Sequence, residues 1–250
     1  MCIYNAAPAR PTATALAILT DHRYAKWALR MLTALIAFNS RDGAPFDTVC
    51  LHEGPLAAAD FAALQHLCTA TVALDPIPGR SVRWQKPVIF YDPVFRKYDR
   101  VVYMDSDFVV GGPPRFEDLA LPPGDTIAIK AGVCGGTPRG PGRYREFFPR
   151  FHAALAADFP RNAADRANVC MSTSLWVVDV HGLPAPAAMR RRVDRLWRRF
   201  PLAMYVTGGE QGFIQLLFWN ETAPLHVEGP AFRHLYRFQC RLDAERQCAL

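Results

Sequence analysis

The stretch Val101-Val102-Tyr103-Met104-Asp105-Ser106-Asp107-Phe108-Val109-Val110 constrains this chain more than any other. Its first four residues are apolar and continuous rather than alternating, the pattern of a short strand buried on both faces. The run ends in two carboxylates separated by one residue. Charges at the edge of a core are destabilising unless offset, so a cationic group is expected beside them. On a chain leaving a strand, carboxylates at i and i+2 can lean the same way. Two hard oxygen donors so placed suit a divalent cation, which in turn grips phosphates. The plainer reading is a pair of solvated turn acids or a helix N-cap. The apolar flanks and the Gly111-Gly112-Pro113-Pro114 turn leave the two readings balanced.

Around this stretch the chain alternates strands and helices. Ala13–Leu19 reads as a strand. Tyr24–Phe38 reads as a helix, because Trp27, Met31, Leu32, Leu35 and Phe38 keep a helical period, with Asp21 as its cap. Thr48–Leu51 is a second strand, Leu56–Leu67 an alanine-rich helix and Thr71–Leu74 a third strand. Such alternation predicts a parallel sheet covered by helices, with ligands at the carboxyl ends of strands. Asp21 and Asp105 both stand at such ends. Trp84–Tyr98 is an imperfect helix interrupted by Pro87 and Pro93, Ile127–Lys130 a strand, and Gly132–Gly142 a loop without a phosphate-loop ending. Tyr144–Phe159 reads as a helix, Met171–Val180 as a strand, and Phe213 to Trp219 as a helix after Thr207-Gly208-Gly209-Glu210-Gln211-Gly212.

Composition narrows the function. At 250 residues there is length for a full core, and half the residues are hydrophobic. No apolar run reaches the roughly 18 residues of a membrane helix. Residues 1–12, punctuated by Pro8 and Pro11, are expected to form a loose leader without a signal-peptide pattern, and 13–250 a single domain. The seven cysteines are scattered and form no C-x-x-C pair. A reducing, cytoplasmic setting is therefore expected, with neither zinc site nor disulfide framework. The net charge of +6 comes mainly from arginine. Its largest block, Arg190 to Arg199, has Val193, Leu196 and Trp197 interleaved at helical spacing. That is an amphipathic helix with a solvated basic face rather than a nucleic-acid or membrane surface.

Three segments, in order, resemble the retaining, metal-dependent glycosyltransferases of family 8, the glycogenin-like group. The first is Leu19-Thr20-Asp21-His22-Arg23-Tyr24-Ala25-Lys26. The second is Lys86 followed by Tyr98-Asp99-Arg100-Val101-Val102-Tyr103-Met104-Asp105-Ser106-Asp107, similar to the family's lysine, strand and DxD motif. The third is Gly208-Gly209-Glu210-Gln211-Gly212, similar to the family's GGDQG. The resemblance spans about residues 13–220. It implies an α/β fold of the GT-A nucleotide-diphospho-sugar transferase type, a Rossmann-like, mostly parallel sheet flanked by helices.

It also implies roles. Tyr24 would stack on uracil, with Thr20 and Asp21 holding base and ribose edges. Lys86 would pair with the phosphates as a point charge, with Arg80 and Arg83 near it. Asp105 and Asp107, with Ser106 between them, would hold Mn²⁺ or Mg²⁺ against the diphosphate of a UDP-sugar. Glu210 and Gln211 would lie by the donor sugar, Glu210 positioning it and giving electrostatic support. Each residue also has a plain reading: Tyr24 as a packing residue, Lys86 as a surface lysine, Glu210 as an acid favoured at a helix N-terminus.

The chain departs from the family pattern in several places. Ser172-Thr173-Ser174 stands where the family has Asn-Ser-Gly; Ser172 can bond a sugar hydroxyl but lacks the amide's paired donor and acceptor. Glu210 replaces an aspartate, and Thr207 stands where glycogenin-like members carry another acid. The family's late His-x-x-Gly-x-x-Lys-Pro-Trp segment, which supplies the third metal ligand, is missing or degenerate. His226-Val227-Glu228-Gly229-Pro230 follows Gln211 too closely to match it, His234 is a weaker fit, and Tyr236–Gln239 resembles an earlier stretch.

The first expectation is thus a hexosyltransferase using UDP-glucose or UDP-galactose, with a glycan, protein, lipid or small polyol as acceptor and, by analogy, a homodimer. The alternative is a nucleotide-sugar-binding or scaffold protein that keeps the fold without turnover. A haloacid-dehalogenase-type phosphohydrolase also matches Asp105-x-Asp107, but that chemistry needs a later pair of metal-binding acids, which does not follow.

Overall fold

The continuous apolar runs become the middle of one seven-stranded sheet. The structure is a computed structural model that describes residues 13–42, 46–110, 121, 126–131, 171–199, 210–218 and 222–225. The strands are β1 (Thr14–Thr20), β2 (Asp47–Glu53), β3 (Ala70–Leu74), β4 (Arg100–Met104), β5 (Ile127–Ala131), β6 (Met171–Asp179) and β7 (Thr222–Leu225). The helices are α1 (Ala25–Asp42), α2 (Ala58–Leu67), α3 (Pro186–Arg199) and α4 (Glu210–Leu217). The proline-interrupted stretch before β4 is not an α-helix. It forms two 3-10 segments, Val82–Phe90 and Pro93–Phe95, with Pro87 inside the first. Proline removes a backbone donor and fixes φ, which short 3-10 turns tolerate better than a regular helix.

The sheet order is β3-β2-β1-β4-β6-β5-β7. The strands β3, β2, β1 and β4 run parallel, as do β5 and β7, while β6 is antiparallel to both its neighbours. From β1 the chain winds outward through β2 and β3, then crosses back to place β4 on the other side of β1. That reversal opens a crevice outside the carboxyl ends of β1 and β4, where ligands of such sheets bind. Because β6 is antiparallel, its first residues lie at this same edge: Met104 pairs with Leu175, and Arg100 with Asp179.

Both faces of the sheet are covered, which explains why its strands read as unbroken apolar runs. On one face Leu16, Ile18, Cys50, Val102 and Met104 pack with Ala28, Met31, Leu32 and Leu35 of α1 and Leu64 of α2. On the other, Ala17, Leu19, Tyr103, Trp176 and Val178 pack with Phe90 and Phe95 of the 3-10 segments, Met189 and Val193 of α3, and Phe213 and Ile214 of α4. In α3, Met189, Val193 and Leu196 are buried while Arg190, Arg191, Arg195 and Arg198 face solvent. The helix is amphipathic, as its spacing indicated.

The sequence expectations for residues 1–12, Gly132–Gly142, Tyr144–Phe159, His226–Pro230, His234 and Tyr236–Gln239 fall outside the described residues. No described helix is long and apolar enough to cross a membrane.

Candidate functional site

At the end of β4 the cationic partner that the sequence demands is Lys86. Its Nζ lies 2.8 Å from Asp105 Oδ1 and 3.4 Å from Glu210 Oε1. It also donates to Thr173 O at 3.2 Å and approaches Thr173 Oγ1 at 3.4 Å. The lysine side chain is only 1% exposed. An isolated buried ammonium would cost several kcal/mol, by order of magnitude, so four surrounding oxygens for its three donors are what make the position tenable. The first 3-10 segment delivers it. Gln85 Nε2 anchors that segment to Glu53 Oε2 at 3.0 Å and to Asp75 O at 2.7 Å, at the carboxyl ends of β2 and β3.

Thr173 reaches the lysine because β6 is irregular here. Ile129 pairs with Trp176, but the next residue, Lys130, pairs with Ser172, so residues 173–175 are extra relative to β5. A bulge of this kind re-aims groups beside a sheet edge. Within it Ser174 O accepts the Asp105 amide at 2.8 Å and fixes the chain as it leaves β4.

Tyr103 also belongs to the cluster. Its hydroxyl donates to Asp105 Oδ1 at 2.7 Å, and its ring stacks on Trp176 with centroids 4.9 Å apart and planes inclined by 17°. Lys86 Nζ sits 5.1 Å from the centre of the same ring. Burial, then the negative charge of Asp105, pushes the Tyr103 phenol well above its ordinary pKa, so it remains a donor. Glu210 is buried and opens α4, where the positive end of the helix dipole favours a carboxylate.

The end of β1 is a second, separate arrangement. Thr20 is buried, and its hydroxyl points to Asp21 O at 3.3 Å. Asp21 Oδ1 accepts the amides of Arg23 and Tyr24 at 2.9 and 3.2 Å, a cap on the turn into α1. Asp21 Oδ2 accepts Arg23 Nε and Nη2 at 3.0 and 2.7 Å. Burial raises the Asp21 carboxyl, but the Arg23 and Tyr24 bonds outweigh it and the net shift is downward. Tyr24 is the one large hydrophobic residue that stands exposed among those described, at 37%.

Ser106 is buried and Asp107 half-buried in the turn after β4. Ser172 lies on β6 at the same edge and Gln211 in the first turn of α4; their side chains, like His226 and His234, are outside the described residues. The structure thus brings Lys86, Asp105 and Glu210 into contact and sets Thr20, Asp21 and Tyr24 on the neighbouring parallel strand end. Sequence reasoning missed Tyr103, Thr173 and Arg23. Strand alternation could have found Tyr103, which shares a face with Asp105 two residues on. Nothing local signalled Thr173, whose role depends on the bulge.

A divalent cation fits this donor set in one way only. Among the described residues no group of three or more His, Cys, Asp or Glu is placed to hold a metal. Asp105 and Asp107 are hard oxygen donors, and the Asp105 side chain keeps 26% of its surface exposed. Two carboxylates suit Mg²⁺ or Mn²⁺ completed by water and substrate phosphates, rather than a metal caged by protein alone.

No protein-family model matches the chain, and no curated protein matches it. Solved structures do. The chain is similar to the bifunctional glycosyltransferase WbbM, at 16% identity over 88% of this chain and 40% of that one, with a TM-score of 0.59. It is similar to the galactosyltransferase LgtC in complex with donor and acceptor sugar analogues, at 11% identity over 88% of this chain and 82% of that one, TM-score 0.54. GlyE, a glycosyltransferase of Streptococcus pneumoniae, matches at 16% identity over 85% of this chain and 46% of that one, TM-score 0.50. The chain therefore spans under half the length of WbbM and GlyE. The fold is GT-A: a mixed α/β sheet, largely parallel and flanked by helices.

Proposed function

We propose that this chain is a glycosyltransferase that moves a hexose from a UDP-sugar to an acceptor hydroxyl with retention of configuration, using Mn²⁺ or Mg²⁺. The observation that carries the reading is the Lys86–Asp105–Glu210 constellation, with Lys86 and Glu210 buried, at the topological switch point of a GT-A sheet. A structural core has no use for a lysine and two acidic side chains gathered at that edge, and sheltering them from water is costly.

In the reaction the bond from the sugar's anomeric carbon to the diphosphate breaks and a bond to the acceptor oxygen forms. The acceptor's proton goes to the departing phosphate. When bound, the cation offsets charge developing on that leaving group. Asp105 and Asp107 would hold it. Tyr24, exposed beside the crevice, offers its ring face to the uracil. Thr20 and Asp21 take the base and ribose edges; for Asp21 this requires the 59%-exposed Arg23 side chain to swing off its carboxylate. Lys86 lies within reach of Asp105 and Glu210 and shifts a donor toward the diphosphate when one enters. Ser106, Ser172, Glu210 and Gln211 orient the donor sugar. UDP-glucose and UDP-galactose are the favoured donors, and the acceptor is a glycan, a protein or a small polyol.

A second reading, nucleotide-sugar binding without turnover, is favoured by one observation: Asp21 is already closed by Arg23 on one oxygen and by two amides on the other. Calorimetric titration of UDP with and without Mn²⁺, followed by a UDP-release screen across common UDP-sugars, decides between them. Metal-dependent binding with release is the expected outcome. Binding without release across donors and acceptors supports the second reading, and no UDP binding at all removes both.

A further inference from the structure

We infer that Tyr103 is a positioning residue for the metal-binding carboxylate, acting through Asp105 from beneath the site. This rests on the metal reading of Asp105 and deepens it. The hydroxyl of Tyr103 and the ammonium of Lys86 both bond the same oxygen, Asp105 Oδ1, at 2.7 and 2.8 Å. Among the described residues Oδ2 receives no such bond, so it is the oxygen left for a ligand. Two donors fixed on one oxygen hold a carboxylate's plane, and groups behind a ligand orient it and tune its basicity.

Tyr103 is suited to this by its own restraint. It is 1% exposed and its ring lies flat on Trp176, which itself packs against Phe90 at 5.0 Å between centroids. The phenol therefore has little freedom to follow Asp105 if the carboxylate turns; the carboxylate must conform to the phenol. Phenylalanine at this position would satisfy the packing. The hydroxyl is the part that packing does not explain, and among the described residues its hydrogen bond is to Asp105.

The test is Tyr103→Phe, which keeps the stack and removes only the donor. Mn²⁺ affinity, measured by calorimetry and by electron spin resonance of free Mn²⁺ in the presence of UDP, is expected to fall about tenfold or more, within the range for groups behind a metal ligand. UDP affinity without metal should hold, and the thermal midpoint should move little. The same substitution in an Asp105→Asn background separates positioning from general loosening. Acting through Asp105, it should have no further effect on residual Mn²⁺ binding there. An unchanged Mn²⁺ affinity in Tyr103→Phe overturns the inference while leaving the metal site standing. Equal losses in both backgrounds overturn it too, because the phenol would then act on the site at large. If the unsubstituted protein takes up no Mn²⁺ with UDP, the metal reading falls and this inference with it.

Discussion

The two ends of the sheet each carry an ion pair at 2.8 Å, and they are built differently. At the amino end, His181 Nε2 meets Asp99 Oδ1, with side chains 72% and 45% exposed. At the carboxyl end, Lys86 meets Asp105 with 1% and 26% exposed. The amino-end pair works as a clip. Asp99 Oδ2 also accepts the amide of Ala13, and Val180 N donates to Asp99 O, so β1, β4 and β6 are tied where the chain enters or leaves them. Such a pair is screened by water and contributes little. The carboxyl-end pair has its lysine fully buried and its carboxylate mostly shielded, is joined by a second acid and lies beside a crevice. Equal distances thus mean unequal things: one end spends nothing to hold strands together, and the other keeps a costly charge arrangement that packing alone would not require.

The tyrosines repeat the contrast. Tyr98, before β4 at the amino end, is 4% exposed and donates to Asp47 Oδ2 at 2.7 Å, and burial with that carboxylate pushes its phenol well up. Tyr24, at the carboxyl end, leaves its ring in solvent.

The largest effect should come from Asp105→Asn with Asp107→Asn. Metal-dependent UDP binding is expected to vanish in calorimetry while far-ultraviolet circular dichroism stays native. Undiminished Mn²⁺-dependent binding by the folded double variant would reduce the carboxyl edge to a structural feature like the amino edge. Next is Lys86→Met. It leaves Asp105 and Glu210 facing each other without their cation, and urea unfolding should show a loss of about 3–5 kcal/mol, the range for breaking a buried pair. Adding Glu210→Gln should restore part of it. If Lys86→Met costs no more than removing His181, the distinction between the edges fails.

Much of this frame was legible in the sequence. The strands of the amino-terminal half and α1 lie within a few residues of their expected places, because continuous apolar runs and a 3.6-residue period are strong signals. The direction of β6 was not legible, since periodicity carries no strand orientation. Strand β7 went unrecognised because Pro224 demotes its run; among the described residues it lies at the sheet's edge, paired with β5 alone, where proline is tolerated. Lys86 could be picked out as a residue with chemistry but not as a buried one. Its burial is set by the 3-10 segment, Thr173 and Glu210, the last two 87 and 124 residues away. That Asp105 and Asp107 follow a strand end was readable, because their apolar flanks fixed where the strand must stop.

A smaller effect separates the tyrosines. Tyr24→Ala should weaken UDP and uridine alike by about 1–3 kcal/mol, the range for loss of a base-stacking platform, with little change in unfolding. Tyr98→Phe should do the reverse, lowering stability by about 1–2 kcal/mol through the unsatisfied Asp47 contact while nucleotide binding holds. Parallel effects of the two substitutions on binding would mean that exposure of Tyr24 is incidental.

The smallest effect lies at the amino end and depends on pH. The bond to Asp99 raises the pKa of His181 above its ordinary 6.5, helped by the charge of Asp179. A histidine whose folded pKa is raised binds more protons in the folded state. Its contribution is therefore complete below about pH 6.5 and fades as pH rises through the higher folded value. Asp99 moves the other way: its pKa is lowered by His181 and the Ala13 amide, so its contribution holds above the ordinary 3.8 and fades as pH falls. Urea midpoints of the unsubstituted protein and of His181→Asn should differ slightly near pH 6 and converge near pH 8. Curves that stay parallel across that interval would show that the clip rests on the Asp99–Ala13 bond rather than on the imidazolium. The amino edge would then be held by amide hydrogen bonds to Asp99 without an ion pair, and the contrast with the carboxyl edge would be sharper still.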